Sequence, residues 1–233
     1  MALPKINAAP KYEATVPSTK QEVRFRPYLV KEEKVLMLAM ESENQAQAMN
    51  AVVDTILACV QEPIDKSVLT TFDVEYLFTR IRAKSVGETT KIGLKCTECE
   101  HPTETIVPIE DIVIEVPEVE TKVEVTDNLK LSLRWPRYND LVDLGAMEST
   151  TAMTFAMVSR CIEAVETPEE RINFNDETEA DKLEFIESLS AEQFGKIRDF
   201  MDKMPTLKHE IDYNCEKCGH ANNIVLQGMN DFL

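Results

Sequence analysis

The chain has 233 residues, 43% of them hydrophobic, and a formal net charge of −17. The apolar fraction is sufficient for a folded core, and the length suits one large domain or two small ones. The negative charge opposes binding to nucleic-acid phosphates and to anionic membranes, so we expect neither as a partner. A basic protein surface is the better candidate.

The N-terminal stretch "MALPKINAAPKYEATVPS" has no signal-peptide pattern, and no apolar run approaches the ~20 residues that span a bilayer. We therefore expect a cytosol-like compartment, where the six cysteines are thiols or metal ligands rather than a disulfide framework. Residues 1–20 are polar and contain three prolines, which predicts an extended arm without a core of its own.

After the arm, the sequence predicts a short strand, three helices and a β-hairpin. The strand or extended entry is "EVRFRPYLV", and the first helix is "KEEKVLMLAMES", whose apolar residues have helical spacing. The second helix ends before Pro63, and the third, "TTFDVEYLFTRIRAKSV", ends at Gly87. The hairpin contains Cys96-x-x-Cys99.

The second half begins with a β-rich stretch that has a turn signal at Asp127-Asn128. Helices are predicted in "NDLVDLGAMES" and in "TTAMTFAMVSRCIEAVE", the second of which stops before Pro168. Two short helices follow and end at Pro205, and a hairpin with Cys215-x-x-Cys218 closes the chain.

The order of these elements repeats along the chain. "AMES" occurs at 39–42 and at 146–149, preceded by "RFRPY" and "RWPRY" respectively. We predict an α+β fold of two tandem pseudo-repeats, roughly 20–110 and 122–229, each with an extended entry, about three helices and a Cys-x-x-Cys hairpin. The predicted domains are the arm 1–20, a first repeat 21–112 and a second repeat 113–233. The alternative is that any two halves built as strand, helix, helix and hairpin look alike.

The paired cysteines predict a metal site. Zinc prefers four tetrahedral ligands, and one Cys-x-x-Cys hairpin supplies two of them. We therefore predict one structural zinc ion per chain, bound by both hairpins in a split zinc-ribbon-like unit through Cys96, Cys99, Cys215 and Cys218. Such a closed site stabilises a fold and leaves no open position for catalysis.

Three alternatives to this site stay open at the sequence level. His101 and His220 follow the hairpin cysteines and are competing ligands, although a separate ion in each hairpin would lack a fourth ligand. A disulfide requires an oxidant, and a thioredoxin-type redox motif requires a helix directly after the cysteines. Glu100 also stands where the second hairpin has Gly219, which predicts a more strained first turn.

Catalytic motifs are absent from the sequence. It has three histidines and six glycines, with no HExxH, no phosphate-binding glycine loop and no GxSxG. Cys59 and Cys161 lie in helical apolar patterns and are predicted to be core residues. We therefore expect a protein that is not an enzyme.

A stretch rich in Arg and aromatic residues precedes the first helix. Residue types of this kind are frequent at interface hot spots, which makes the stretch a candidate partner-binding surface: Arg24, Phe25, Arg26, Pro27 and Tyr28. The other interpretation is a strand that enters a helix, with the proline fixing the bend.

The chain resembles the baseplate hub and hub-assembly proteins of T-even-type contractile-tailed bacteriophages, over most of its length in layout and over about thirty residues near the N-terminus in detail. The resemblance is carried by Val16-Pro17 and by "RPYLVKEEK", from Arg26 to Lys34, with the paired Cys-x-x-Cys hairpins as support. It implies a non-enzymatic protein made in the host cytoplasm that helps to build the tail baseplate hub, or becomes part of it in the virion, and that contacts other hub or tail proteins.

The alternative function is an acidic zinc-ribbon adaptor in transcription or another nucleic-acid process. The charge argues against it, because only 25 residues are basic and none cluster near either hairpin.

Overall fold

The computed structural model describes residues 10–41, 44–109, 112, 114–144 and 149–228. These residues form two compact units. Unit 1 contains the described residues of Met1–Lys66, Phe72–Glu115 and Thr206–Leu233, and unit 2 contains Ser67–Thr71 and the described residues of Val116–Pro205. Helices and small antiparallel sheets occur in both units, so the predicted α+β class is confirmed.

The helices in the described residues are α1 (Val30–Glu41), α2 (Gln45–Cys59), α3 (Thr71–Val86), α4 (Tyr138–Leu144), α5 (Thr150–Cys161), α6 (Glu179–Glu187) and α7 (Ala191–Met201). Side-chain caps fix several of their starts. Asn44 caps α2, Ser149 caps α5, and Ser190 forms a capping box with Gln193 at α7. These caps satisfy N–H groups that have no partner inside the helix. Of the predicted helix at 139–149, residues 139–144 lie in α4, residues 145–148 lie outside the described residues, and Ser149 is the non-helical N-cap of α5.

The strands in the described residues are β1 (Tyr12–Thr15), β2 (Glu22–Phe25), β3 (Thr89–Lys95), β4 (Pro102–Pro108), β5 (Lys122–Thr126), β6 (Leu129–Leu133), β7 (Ile162–Glu166), β8 (Arg171–Asn173), β9 (Lys208–Asn214) and β10 (Ala221–Gln227). Three two-stranded sheets, β1-β2, β3-β4 and β9-β10, belong to unit 1, and the four-stranded sheet β5-β6-β7-β8 belongs to unit 2.

Unit 1 has its core around α3 and the two Cys hairpins. The inward residues of the hairpin strands alternate along each strand, as expected for sheets with one buried face. They pack together with Ala83 of α3 and with Ile109 and Ile112, and the hairpin members of this cluster are Leu94, Val107, Ile211, Tyr213 and Leu226.

The predicted N-terminal arm is folded over part of its length. β1 pairs with β2, Val16 is buried, and Ser18 donates two hydrogen bonds to the carboxylate of Asp73 in α3, at 2.8 and 2.5 Å. Residues 12–18 are therefore part of unit 1. Residues 1–9 of the predicted arm lie outside the described residues.

The predicted helix at 150–166 is wrong over its last five residues. α5 ends at Cys161, and residues 162–166 form β7, which pairs with β6 on one side and β8 on the other. Ile162, Ala164 and Val165 are buried in this central strand. Tertiary pairing of β-branched residues outweighs the helical pattern that precedes them.

Candidate metal centre

The two Cys-x-x-Cys turns have the same local geometry. In the first, the Cys96 N–H donates to the His101 carbonyl at 3.0 Å, and the Glu100 N–H donates to the Cys96 carbonyl at 2.9 Å. In the second, both equivalent bonds, from Cys215 to His220 and from Gly219 to Cys215, measure 2.9 Å. Each turn therefore presents its two thiols in the same way.

The position after the second cysteine is left-handed in both turns. Glu100 has a φ of 55°, and Gly219 has a φ of 73°. A side chain in this region is strained by its Cβ, whereas glycine is not. The strain expected at Glu100 thus lies in one left-handed residue, and the backbone hydrogen bonds of the first turn match those of the second.

The structure brings all four predicted ligands together within unit 1. The Sγ atoms of Cys96, Cys99, Cys215 and Cys218 all lie within 4.8 Å of one another. Two contacts cross between the hairpins: Cys96 to Cys218 at 3.7 Å and Cys99 to Cys215 at 3.6 Å. A tetrahedral ion with metal–sulfur bonds of about 2.3 Å separates its sulfur ligands by about 3.8 Å. The four thiols therefore fit one four-coordinate metal ion.

The surroundings of the thiols favour thiolates at some positions and oppose them at others. Burial opposes ionisation of Cys96, but N–H groups of Cys99 and Glu98, the Asn222 amide and the Cys215 thiol lower its pKa to about 6. Hydrogen bonds from the N–H groups of Cys218 and Lys217 lower the pKa of Cys215 despite burial.

Cys218 behaves in the opposite way. The His220 N–H lowers its pKa, but the Cys99 thiol, burial and the other cysteines outweigh this effect and raise the pKa to about 12. Four adjacent thiols cannot all ionise without a countercharge, and a bound divalent cation supplies one.

Asn222 was not identified from the sequence, and it links the two hairpins at this site. Its side chain is buried and accepts hydrogen bonds from the Thr97 N–H at 2.9 Å and from the Thr97 hydroxyl at 2.8 Å. Its amide nitrogen lies 3.7 Å from Cys96 Sγ. Asparagine in an alternating strand gives no sequence signal of its own, and only the pairing of the hairpins defines its role.

The corresponding position in the first hairpin differs. Asn222 follows Cys218 by four residues, as Thr103 follows Cys99. The buried Thr103 hydroxyl has no hydrogen-bond partner among the described residues, and neither does the buried hydroxyl of Tyr213, the register partner of Asn222 in the second hairpin. Burial, together with Cys96, Cys215 and Cys99, raises the pKa of Tyr213.

The competing interpretations of the cysteines fit the structure less well. Within the described residues, the group of ligand atoms close enough to share an ion contains the four cysteines and neither His101 nor His220. Both motifs lie between antiparallel strands and not at a helix N-terminus, which is where a redox Cys-x-x-Cys belongs.

The two remaining cysteines are core residues, as predicted. Cys59 and Cys161 are buried at the ends of α2 and α5. Burial raises the pKa of Cys59 to about 11 and that of Cys161 to about 12, so neither thiol is reactive at neutral pH.

The candidate partner-binding stretch joins β2 to α1. Phe25 is buried in the core, and Arg26 forms an ion pair with Glu32 at 2.9 Å. The Arg24 side chain is 57% exposed and pairs with Glu62 at 2.7 Å. The alternative interpretation of a strand entering a helix thus describes the local structure, and partner binding stays a prediction.

The Arg26 corner recurs in unit 2. Arg134 pairs with Asp140 at 2.7 Å, as Arg26 pairs with Glu32 six residues later. Each carboxylate also accepts a backbone N–H at 2.8 Å, from Leu29 in unit 1 and from Arg137 in unit 2. The backbone relation recurs as well, because the N–H of each arginine donates to a core cysteine carbonyl, at 3.1 Å to Cys59 and at 2.9 Å to Cys161.

Two facing Cys-x-x-Cys hairpins define an acidic α+β protein with a four-cysteine cluster that could hold a metal ion. Residues 9–233 match the family model described as T4 bacteriophage base plate protein, and the chain belongs to this family. The resemblance carried by Val16 to Lys34 is therefore confirmed. Membership implies a structural role in the phage tail base plate, in the virion, and contacts with other tail proteins.

Comparison with curated proteins and with solved structures gives no significant match. Among the described residues, no helix combines the length and apolar character needed to cross a membrane.

Proposed function

We propose that the protein is a non-enzymatic structural or assembly protein of the baseplate hub, and that one structural zinc ion clamps its two hairpins. The observation that carries the zinc proposal is the four-sulfur cluster, with inter-hairpin distances of 3.6 and 3.7 Å. Four thiolates in tetrahedral geometry select zinc or an iron–sulfur centre, and a single closed site of this type favours zinc.

The clamp joins segments that are far apart in the chain. β3-β4 and β9-β10 contribute apolar residues to the same small core, but they are separate two-stranded sheets. Small sheets of two strands are marginally stable alone. A metal ion bound by both therefore stabilises unit 1, because its binding free energy adds to folding.

The zinc proposal is tested by native mass spectrometry of the purified full chain, of Cys215→Ser and of the matched control Cys59→Ala. We expect one zinc ion per chain in the wild type and in Cys59→Ala, and none in Cys215→Ser. A metal-free wild type purified under reducing conditions, or an iron–sulfur spectrum, would overturn the assignment.

The hub proposal rests on family membership and on the resemblance carried by Val16-Pro17 and by Arg26 to Lys34. It is tested by measuring the protein in purified hub intermediates, which assemble in the host cytoplasm, and in finished tails. Presence in both indicates a retained subunit, and presence in intermediates alone indicates an assembly factor. Its recovery only with outer baseplate parts would exclude the hub.

We also propose that Arg24 to Tyr28 contributes to partner binding through its exposed members. Arg24 is the clearest candidate, because Phe25 is buried. Arg24→Glu should reduce incorporation into tails without loss of folding, whereas Lys91→Glu, at an exposed site on β3, should not. Equal incorporation of both variants would reject this role.

The tandem-repeat prediction remains a proposal as well. It is supported by the recurring Arg–carboxylate corner and by the identical hydrogen bonding of the two Cys turns. Matched substitutions at the two copies should then have matched effects on stability.

A further inference from the structure

The outward face of α1 presents exposed apolar side chains to solvent. Val30 is 78% exposed, Met37 58% and Leu38 55%. The inward face is formed by the buried Glu32 and the half-buried Leu36 and Ala39, and α1 packs on α2. Apolar side chains concentrated on one exposed helix indicate an interaction surface.

This outward face has regular helical spacing. Val30, Lys34, Met37, Leu38 and Glu41 occur at i, i+4, i+7, i+8 and i+11, the spacing that places residues on one side of a helix. Met37 and Leu38 lie at the middle of this face, which we call the α1 outer face, with Lys34 on their N-terminal side and Glu41 on their C-terminal side. Methionine at the centre adapts easily to an opposing surface.

The two charges are complementary to each other in an antiparallel arrangement. Lys34 and Glu41 are both exposed, and neither has an ion-pair partner within the part of the chain that the structure describes. They lie on either side of the point midway between Met37 and Leu38. A twofold axis through this point would bring each lysine against the opposite glutamate.

We propose that the α1 outer face binds the same face of a second copy of this chain, with the two helices antiparallel. Met37 then packs against Leu38 of the partner subunit, and Lys34 pairs with the partner's Glu41, so that every contact occurs twice. A closed, isologous interface of this kind is the commonest form of self-association. The proposal goes beyond the hub function and does not depend on the metal ion.

The charge of the chain sets a limit on this association. Two molecules of net charge −17 repel each other at long range, so the dimer should be weaker at low ionic strength, where this repulsion is less screened. A heterologous partner is the competing occupant of the face, but it would not require Lys34 and Glu41 to be matched to each other.

The test is sedimentation velocity of the full, metal-loaded chain over a range of concentrations, with three charge variants. Lys34→Glu and Glu41→Lys should each weaken dimerisation at least tenfold, because each places like charges together at both ends. The double variant carrying both changes should restore the dimer, since the pairing is only inverted. Leu183→Glu, at an exposed apolar position of α6, is the matched control and should dimerise as wild type does.

Circular dichroism of each variant checks that the fold is retained, which is expected at exposed positions. A wild type that remains monomeric at several hundred micromolar would overturn the proposal, even if α1 variants impaired tail assembly. Dimers that persist in both single variants, or that the double variant fails to restore, would overturn it as well.

Discussion

Single residues at the four-cysteine cluster have roles that depend on the partner hairpin. Asn222 of β10 hydrogen-bonds to Thr97 and lies beside Cys96, both in the first hairpin. Glu100 adopts a left-handed backbone that glycine adopts in the second hairpin. These residues support the geometry of the cysteines without supplying ligand atoms, so their replacement should have measurable effects of moderate size.

Asn222→Ala should weaken zinc binding by about 10–100-fold, because groups that orient metal ligands typically contribute this much. Competition with a chromogenic chelator measures the affinity. Thr103→Val, at the corresponding position of the first hairpin, removes a hydroxyl that has no partner among the described residues. This control should leave the affinity unchanged, and an equal loss in both variants would assign the effect to packing.

Glu100→Gly should stabilise the protein by about 0.5–1 kcal/mol, because it relieves the left-handed strain but adds freedom to the unfolded chain. Gly219→Ala should cost about 1 kcal/mol for the opposite reason, since no atom lies within 4 Å of an added Cβ and only the backbone is strained. Urea denaturation measures both. A destabilised Glu100→Gly variant would contradict the strain argument.

Glu32→Gln should destabilise unit 1 by about 1–3 kcal/mol, because it leaves the half-buried Arg26 without its charge partner. Asp140→Asn should have a similar effect in unit 2, at the equivalent Arg134 pair. Glu104→Gln, in an exposed pair with Lys91, should cost less than about 1 kcal/mol. Urea denaturation at neutral pH gives the three values.

The effect at Glu32 should depend on pH. Burial raises its pKa, but hydrogen bonds from Arg26, Leu29 N–H and Lys31 outweigh this and hold the pKa below its usual value. The pair therefore stabilises the fold above the unfolded-state pKa of about 4.3, and this stability is lost as the pH falls through the lower folded-state pKa. The difference between wild type and Glu32→Gln should shrink below pH ~4.

At the scale of elements, the hairpins are matched by sequence but completed by tertiary contact. β3 and β4 pair over seven residues, as do β9 and β10, and the two turns present their thiols in the same geometry. Neither hairpin alone supplies four ligands. The proposed metal ion should therefore stabilise these four strands more than any other element.

Removal of zinc with a chelator should speed amide hydrogen exchange in β3, β4, β9 and β10 by at least tenfold. The strands β5–β8 belong to unit 2 and contain none of the four cysteines, so their exchange rates should not change. Hydrogen exchange with mass spectrometry resolves the two groups. Uniform acceleration in all strands would mean that the ion supports the whole chain rather than the hairpins.

At the scale of the whole molecule, the net charge of −17 determines which partners are accessible. A phosphate-binding protein needs clustered basic residues, and electrostatic attraction to DNA is strongest at low salt. The full chain should therefore pass through heparin and DNA columns unretained at 50 mM salt. Retention there, abolished by higher salt, would favour the alternative function as a nucleic-acid adaptor.

The sequence by itself determined the features that depend on local patterns. Spacing identified the four cysteines, their hairpins and the core positions of Cys59 and Cys161, and charge excluded phosphate binding as a first expectation. These predictions depend on residue type and on short spacing along the chain, which are the same whatever the tertiary structure. The helical pattern of "KEEKVLMLAMES" likewise predicted α1, but it did not indicate which of its apolar residues are buried.

Only the tertiary structure decided where each element ends and which of its residues are buried. It ended α5 at Cys161, because Ile162 to Glu166 pair between two strands, and it placed Val30, Met37 and Leu38 on the surface. It also folded β1 into unit 1 and set Asn222 against Cys96, across 126 residues of chain. Burial and strand pairing depend on residues distant in the chain, and a local pattern contains no information about them.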